Sequence, residues 1–404
     1  MAVNRWLGHS KAVAQVVTLE VGSTTAGHTF TTTINGKSYT YVAGASETVD
    51  TIAAAVQALL AASEEPEFQE VTWSVSTDTV TGTAATAGVP FEVSKSGTGT
   101  YTLTTATASA GPSHVDDTAN WSLGTLPGAG DDVLIDQGAD LLYGFGGLTP
   151  AAYASWKVKA SFDGSVGLPF TNAAGYVEYR DRAWPMDTAV PCEVGGGEGT
   201  GPARVVIDQD TALALVVHTT GARQDPDVPT VVVYGCSSGT LAVNGGDVGV
   251  AADDDTTTAT VTTATVNDGA TLVVGTAATV TTLNQRGATV VAYGAVTTLN
   301  STAPAADTTL FQAPTTVTAD AGTVRGHFTG TAATLTFRGQ GGQAVPTMDF
   351  SGDARSRTVT NHAFTGGAVL LDPDNTTTWS NAGTWDRASL AASDLGARFS
   401  LLKT

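Results

Sequence analysis

The chain has 404 residues, room for two or three domains, and 42% of them are apolar, which excludes a disordered polymer. Only 14% are charged, against roughly 25% in an ordinary globular protein, and no run of about 18 apolar residues is present to cross a bilayer. The net charge of −20 repels phosphate and argues against a nucleic-acid partner.

Gly, Ala, Thr and Val replace the missing charged residues. β-Branched Thr and Val suit pleated strands and Gly supplies turns, so a mainly β fold of many short strands is expected. The acidic balance reads as solubility for a Lys-poor surface. Cys192 and Cys236 lack metal-ligand spacing and offer one disulfide at most. The first 15 residues contain Arg5, His9 and Lys11 but no apolar core of a secretory signal, so assembly in the cytoplasm is expected.

Residues 1–15 read as a polar N-terminal arm in which Arg5 and Trp6 are the assembly-contact candidates, docking on the chain's own domain or on a neighbour. Residues 16–107 read as a small α+β module. Val16–Val21 alternates as a strand, and Phe30–Ile34 and Ser38–Val42 flank Asn35-Gly36, the strongest short hairpin signal. Ser46 stands at the expected N-cap of a helix carrying Val49, Ile52, Ala53, Val56, Leu59 and Leu60, which Pro66 ends. Strands around Val71–Val75, Val80, Phe91–Val93 and Tyr101–Leu103 complete a hairpin–helix–meander.

This module resembles one common in tailed-bacteriophage virion proteins. The likeness is carried by Phe30–Tyr41 with its Asn-Gly turn, by the Ala-rich run Glu47–Leu59, and by Thr83–Val93 with its Thr86-Ala-Gly88 turn. It covers about a quarter of the chain. It implies a scaffold without catalytic residues.

Residues 108–118 form a linker around Gly111-Pro112. Asn120-Trp121, Leu126-Pro127-Gly128 and Gly130–Ile135 resemble the opening of β-helical surface and phage proteins, with Trp121 expected to cover the open end of a strand stack. A single-stranded parallel β-helix is expected over 119–385, with a lateral loop at about 145–200, a flexible tip at Gly195–Gly201, and a C-terminal cap at 386–404. Its signature is repetition. Gly239-Thr-Leu, Gly269-Ala-Thr-Leu-Val and Gly287-Ala-Thr-Val-Val are copies of one strand opening, and 18 residues separate Gly269 from Gly287. Thr260-Val-Thr-Thr, Thr279-Val-Thr-Thr-Leu-Asn and Ala295-Val-Thr-Thr-Leu-Asn are copies of a second. Two strands per repeat of this length make one solenoid coil, too short for a propeller blade. Asn267, Asn284 and Asn300 are expected at corners, in left-handed turns or side-chain ladders. Trp379 and Trp385 read as rim packing, and Ser389–Leu402 as a short helix.

No nucleophile elbow, phosphate loop, dinucleotide fingerprint or paired histidine motif occurs. Asp131-Asp132, Asp208 with Asp210, Asp225 with Asp227, and Asp253–Asp255 are the acidic clusters. Asp131-Asp132 reads as the entry turn, Asp225-Pro-Asp227 as a loop and Asp253–Asp255 as a solvated corner, with calcium at Asp253–Asp255 the sharper alternative, although no EF-hand or repeat-type calcium pattern supports it. The expected function is therefore a non-enzymatic accessory protein of a phage particle, decorating the outer capsid surface. No catalytic, metal or cofactor-binding residues are expected. Its partners would be the major capsid protein and further copies of itself, a trimer being one arrangement. A tail fibre or tailspike-like protein binding host glycan is the alternative, and a polysaccharide-degrading β-helix enzyme the third.

Overall fold

A computed structural model describes residues 2–186, 188–252, 257–339, 345–372, 377–381 and 383–391. The chain divides into two compact units, one built from Ala2–Thr149 with Gly164–Pro185, the other from Pro150–Asp163 with Met186 onward. Residues 119–149, which the sequence groups with the solenoid, cluster in the first unit.

In the first unit, Val16–Val21 lies inside a four-stranded antiparallel sheet between Thr79–Ala84 and Tyr101–Thr107, with Val71–Ser76 at the edge. A second sheet holds Lys37–Val42, Thr29–Ile34 and Val93–Ser96 in that order. The expected meander is thus corrected. The first strand inserts between two later ones, and Val93–Ser96 joins the other sheet. Alternation marks each strand but carries no information about its neighbours. The hairpin forms as expected, with Asn35 (φ 46) and Gly36 (φ 85) supplying its two left-handed residues. Helix Val49–Ala61 buries Ile52, Ala53, Val56 and Leu60 in a core shared with Leu19, Phe30, Phe68 and Trp73. Its N-cap is Thr48, not Ser46. Thr48 accepts from the Thr51 amide at 3.2 Å, and Thr51 Oγ1 accepts from the Thr48 amide at 2.9 Å, while Ser46 sits two residues earlier at φ 66.

The second unit contains a parallel β-solenoid. One ladder runs through Cys192–Gly196, Ala212–Val217, Ser238–Val243, Ala259–Asn267, Ala278–Arg286, Ala295–Ser301, Thr316–Ala319 and Gly330–Phe337 to Arg357–Leu370. A second runs through the short strands Arg204–Gln209, Val231–Tyr234, Asp247–Val250, Thr271–Val274, Thr289–Ala292, Asp307–Leu310, Thr323–Gly326 and Thr347–Asp349. The coil is richer than two strands per repeat. In Ala259–Asn267 the inward–outward alternation slips at Thr262-Thr263, and pairing with the next coil skips from Val261↔Val280 to Thr263↔Thr282. The Thr-Thr pairs are corners, so each of these coils has three straight legs.

Inward side chains stack directly above one another. Leu241, Ala264, Leu283, Leu299, Val317 and Leu335 form one dry column. The neighbouring column, Val243, Val266, Gln285, Ser301, Ala319 and Phe337, contains two polar residues that are wholly buried. Gln285 Nε2 donates to the Asp307 carbonyl at 3.0 Å, its Oε1 accepts from Thr308, and Ser301 donates to the Ala321 carbonyl at 2.9 Å.

Asn284 and Asn300 lie within strands rather than at corners, and the left-handed turns fall at Gly269 and Gly287. The ladder expectation fits better, since Asn300 donates to Asn284 at 2.9 Å and Asn267 to Asn244 at 2.7 Å. Gly195 and Gly196 are buried within a strand, which confines the exposed tip to 197–200. Thr384–Ala391 is a strand, so the helix expected from Ser389 does not begin there. The remainder of that cap, with Asp253–Asp255, lies outside the described residues.

Candidate functional site

Arg5 ends a parallel pairing of Val3–Arg5 with Asp132–Leu134, and Trp6 follows it. Trp6 is wholly buried. Its Nε1 donates to the Ala139 carbonyl at 2.8 Å and its ring meets Trp121 edge-on, centroids 5.1 Å apart. Trp121 in turn meets Trp184 at 6.1 Å and donates to the Val115 carbonyl at 2.8 Å. Asn120 Oδ1 accepts from the His9 and Ser10 amides at 3.0 and 2.8 Å. The arm is therefore sewn into its own unit, and the Trp6 indole has no free face. Arg5 keeps 45% of its side chain exposed while pairing with Asp136 at 3.3 Å.

A second cluster, unsignalled in the sequence, joins the 164–185 segment to the α+β module. Tyr176 donates to Glu70 at 2.5 Å, Asn35 Nδ2 donates to Glu70 at 3.0 Å, and Arg180 bonds Glu178 at 2.6 and 2.8 Å and the Pro90 carbonyl at 2.9 Å. Burial opposes the Arg180 charge, but Glu178 and Glu70 outweigh it and hold its pKa above the ordinary value. Burial and the bond to Glu70 push the Tyr176 phenol up. This is a structural ion-pair network drawn from four separated segments.

In the solenoid, Arg357 is buried (1% exposed) between Asp353 at 2.5 Å and Asp372 at 3.3 Å, with its guanidinium 4.8 Å over the Phe350 ring. His327 Nδ1 lies 3.0 Å from Asp353, and Arg355 is 2.6 Å from it. Burial pulls the Asp353 pKa upward, but the bonds from His327 and Arg357 prevail and hold it below the usual value.

Two of the expected acidic clusters are tied into local turns. Asp131 accepts from the Gly128 amide at 2.9 Å and Asp225 from the Asp227 amide at 2.9 Å. Among the described residues no three His, Cys, Asp or Glu side chains converge to hold a metal ion. Cys192 and Cys236 are free and buried, which pushes their thiols up to about 12 and about 11.

Two surface strips distinguish the solenoid. After the short strands, the register of Ala292, Leu310 and Gly326 places Tyr293, Phe311 and His327 one above another. Their rings stack, with centroids 4.8 and 5.6 Å apart and planes within 16° and 22°. Tyr293 is 45% exposed, and Arg325, paired with Asp307, lies on the adjoining short strand. On the long ladder the outward positions around the Thr-Thr corners are uncharged in every described coil from Thr260 to Ala363. Among the described residues, the hydroxyls of Thr263, Thr265, Thr282, Thr298, Thr316, Thr318, Thr334 and Thr336 have no partner within the chain.

The chain matches no known family model and no curated protein.

Proposed function

We propose that this chain is a non-enzymatic structural protein of a tailed-phage particle, an accessory component carried as a homo-oligomer on the outer capsid surface and assembled in the host cytoplasm. The observation that supports this most is the continuous in-register stack of coils with an apolar interior, because a ladder that satisfies its own backbone bonds makes a rigid body with few free edges. The sequence likeness of the segment 30–93 to a tailed-phage virion module adds support. In this reading the attachment partner is the major capsid protein. Arg5 remains available to it on the outside of the first unit, whereas Trp6 holds the arm in place.

The decisive experiment is copy number per purified particle from a quantitated gel. Hundreds of copies are expected, and a handful would move the protein to the tail. The tail-fibre reading has one observation in its favour, the Tyr293–Phe311–His327 ladder, because stacked rings beside charged side chains suit saccharides. Adsorption of the purified chain to host cells, lost in Tyr293→Ala, would favour that reading.

A further inference from the structure

We infer that the threonine strip of the solenoid is a self-association surface, and that its occupant is a second copy of the same chain. The inference rests on the homo-oligomeric reading above and is independent of where on a particle the protein sits.

Three observations carry it. The first is charge. A chain with 38 acidic and 18 basic residues repels its own copies over most of its surface. Around the corners the outward residues are instead Thr260, Thr262, Thr263 and Thr265 in one coil and Thr279, Thr281, Thr282 and Asn284 in the next, and this composition continues to Thr358–Ala363. Here two copies can approach without bringing carboxylates together.

The second is hydrogen bonding. A hydroxyl both donates and accepts, so a threonine face is complementary to itself, which a carboxylate or guanidinium face is not. A two-fold pair presents the same patch from both copies, which this chemistry satisfies. The eight hydroxyls named above are unpartnered within the chain, and their residues are partly exposed, so they are free to serve.

The third is size. With coils about 4.8 Å apart and residues about 3.3 Å apart along a strand, six coils by six residues span roughly 30 Å by 20 Å. That is about 600 Å² per copy and about 1,200 Å² for the pair, just above the lower limit for a specific contact. A wet, polar interface of this size predicts association in the micromolar range.

The test is sedimentation velocity of the full chain from about 1 to several hundred micromolar. Thr298→Lys and Thr316→Lys each place a cation in the middle of the strip, and Thr289→Lys places one on an exposed position of the short-strand face. Circular dichroism establishes that each variant is folded, and two independent strip variants guard against one failing to fold. Concentration-dependent oligomers of the native chain and of Thr289→Lys, reduced at least tenfold in association constant by either strip variant, support the inference. A native chain that stays monomeric throughout overturns it. So does an oligomer indifferent to both strip substitutions, an outcome that leaves particle copy number untouched.

Discussion

Trp6 and Trp121 meet edge to face, their ring centroids 5.1 Å apart and their planes at 66°, although 115 positions separate them in the chain. The contact closes the arm over the 120–148 segment, and both indole N–H groups are spent on backbone carbonyls. Replacing Trp6 with Ala removes a wholly buried ring and should cost about 3–5 kcal/mol of stability in the first unit. Arg5→Ala removes a half-exposed ion pair and should cost less than about 1 kcal/mol. Urea unfolding followed by near-ultraviolet circular dichroism checks both, and equal effects would refute the assignment of Trp6 as the internal anchor.

Helix capping gives a second, local prediction. Thr48→Ala should destabilise the first unit by about 1 kcal/mol, because the Thr48–Thr51 exchange is lost. Ser46→Gly should be neutral or stabilising, since glycine accepts the left-handed backbone at φ 66 without a Cβ penalty. Paired denaturation curves decide it, and a greater loss at Ser46 would return the cap to that residue.

Arg357 and its carboxylates should set the acid response of the last coils. Asp353 has a depressed pKa in the fold, so its contribution is complete above its unfolded value near 4 and fades as pH falls through the lower folded value. His362 is held below its ordinary value by burial. It is neutral in the fold and takes a proton more readily when unfolded, so stability also declines as pH drops below about 6.5. Both effects have the same sign. Thermal unfolding between pH 7 and pH 3 should show loss beginning below about 6.5 and deepening below about 4. His362→Leu should flatten the upper part, and Asp353→Asn the lower. Arg357→Ala, which removes the buried cation facing Asp372 and Asp353, should cost about 3–5 kcal/mol at neutral pH.

Two of the three repeat glycines, Gly239 and Gly269, are not equivalent. Gly239 (φ 112) has the Leu213 carbonyl oxygen 2.1 Å from where a Cβ would stand, whereas Gly269 (φ 74) has nothing within 4 Å. Gly269→Ala should cost about 1–2 kcal/mol from left-handed strain alone. Gly239→Ala must also push coils apart and should cost more, a ranking that thermal unfolding of the two variants reads directly.

The solenoid was legible because it repeats. The Gly269–Gly287 spacing and the recurring Val-Thr-Thr runs state the coil, and the structure adds that Thr-Thr is a bend, a detail hidden because both residues look like strand formers. Hairpin and helix were legible for local reasons, Asn35-Gly36 and the apolar spacing from Val49 to Leu60. What stayed hidden was long-range. Nothing near Val16 announces that it inserts beside Thr83, and nothing near Arg180 announces Glu70. The Arg357 cluster was missed because Asp353 and Arg355 beside it look like ordinary surface charges, while His327 and Asp372 are brought in by the coils.

A protein made of near-identical coils faces an alignment problem during folding, because every rung offers its neighbour a plausible wrong partner. Gln285, Ser301 and Thr308 break that degeneracy. If the chain were threaded one coil out of step, Gln285 would stack on Val243 or Ala319 and lose the Asp307 carbonyl and the Thr308 hydroxyl, at a cost of about 1–3 kcal/mol per orphaned group. Gln285 and Ser301 on the long ladder and Thr308 on the short one thus act as an index mark inside these columns, costing a little dryness so that the stack can be counted.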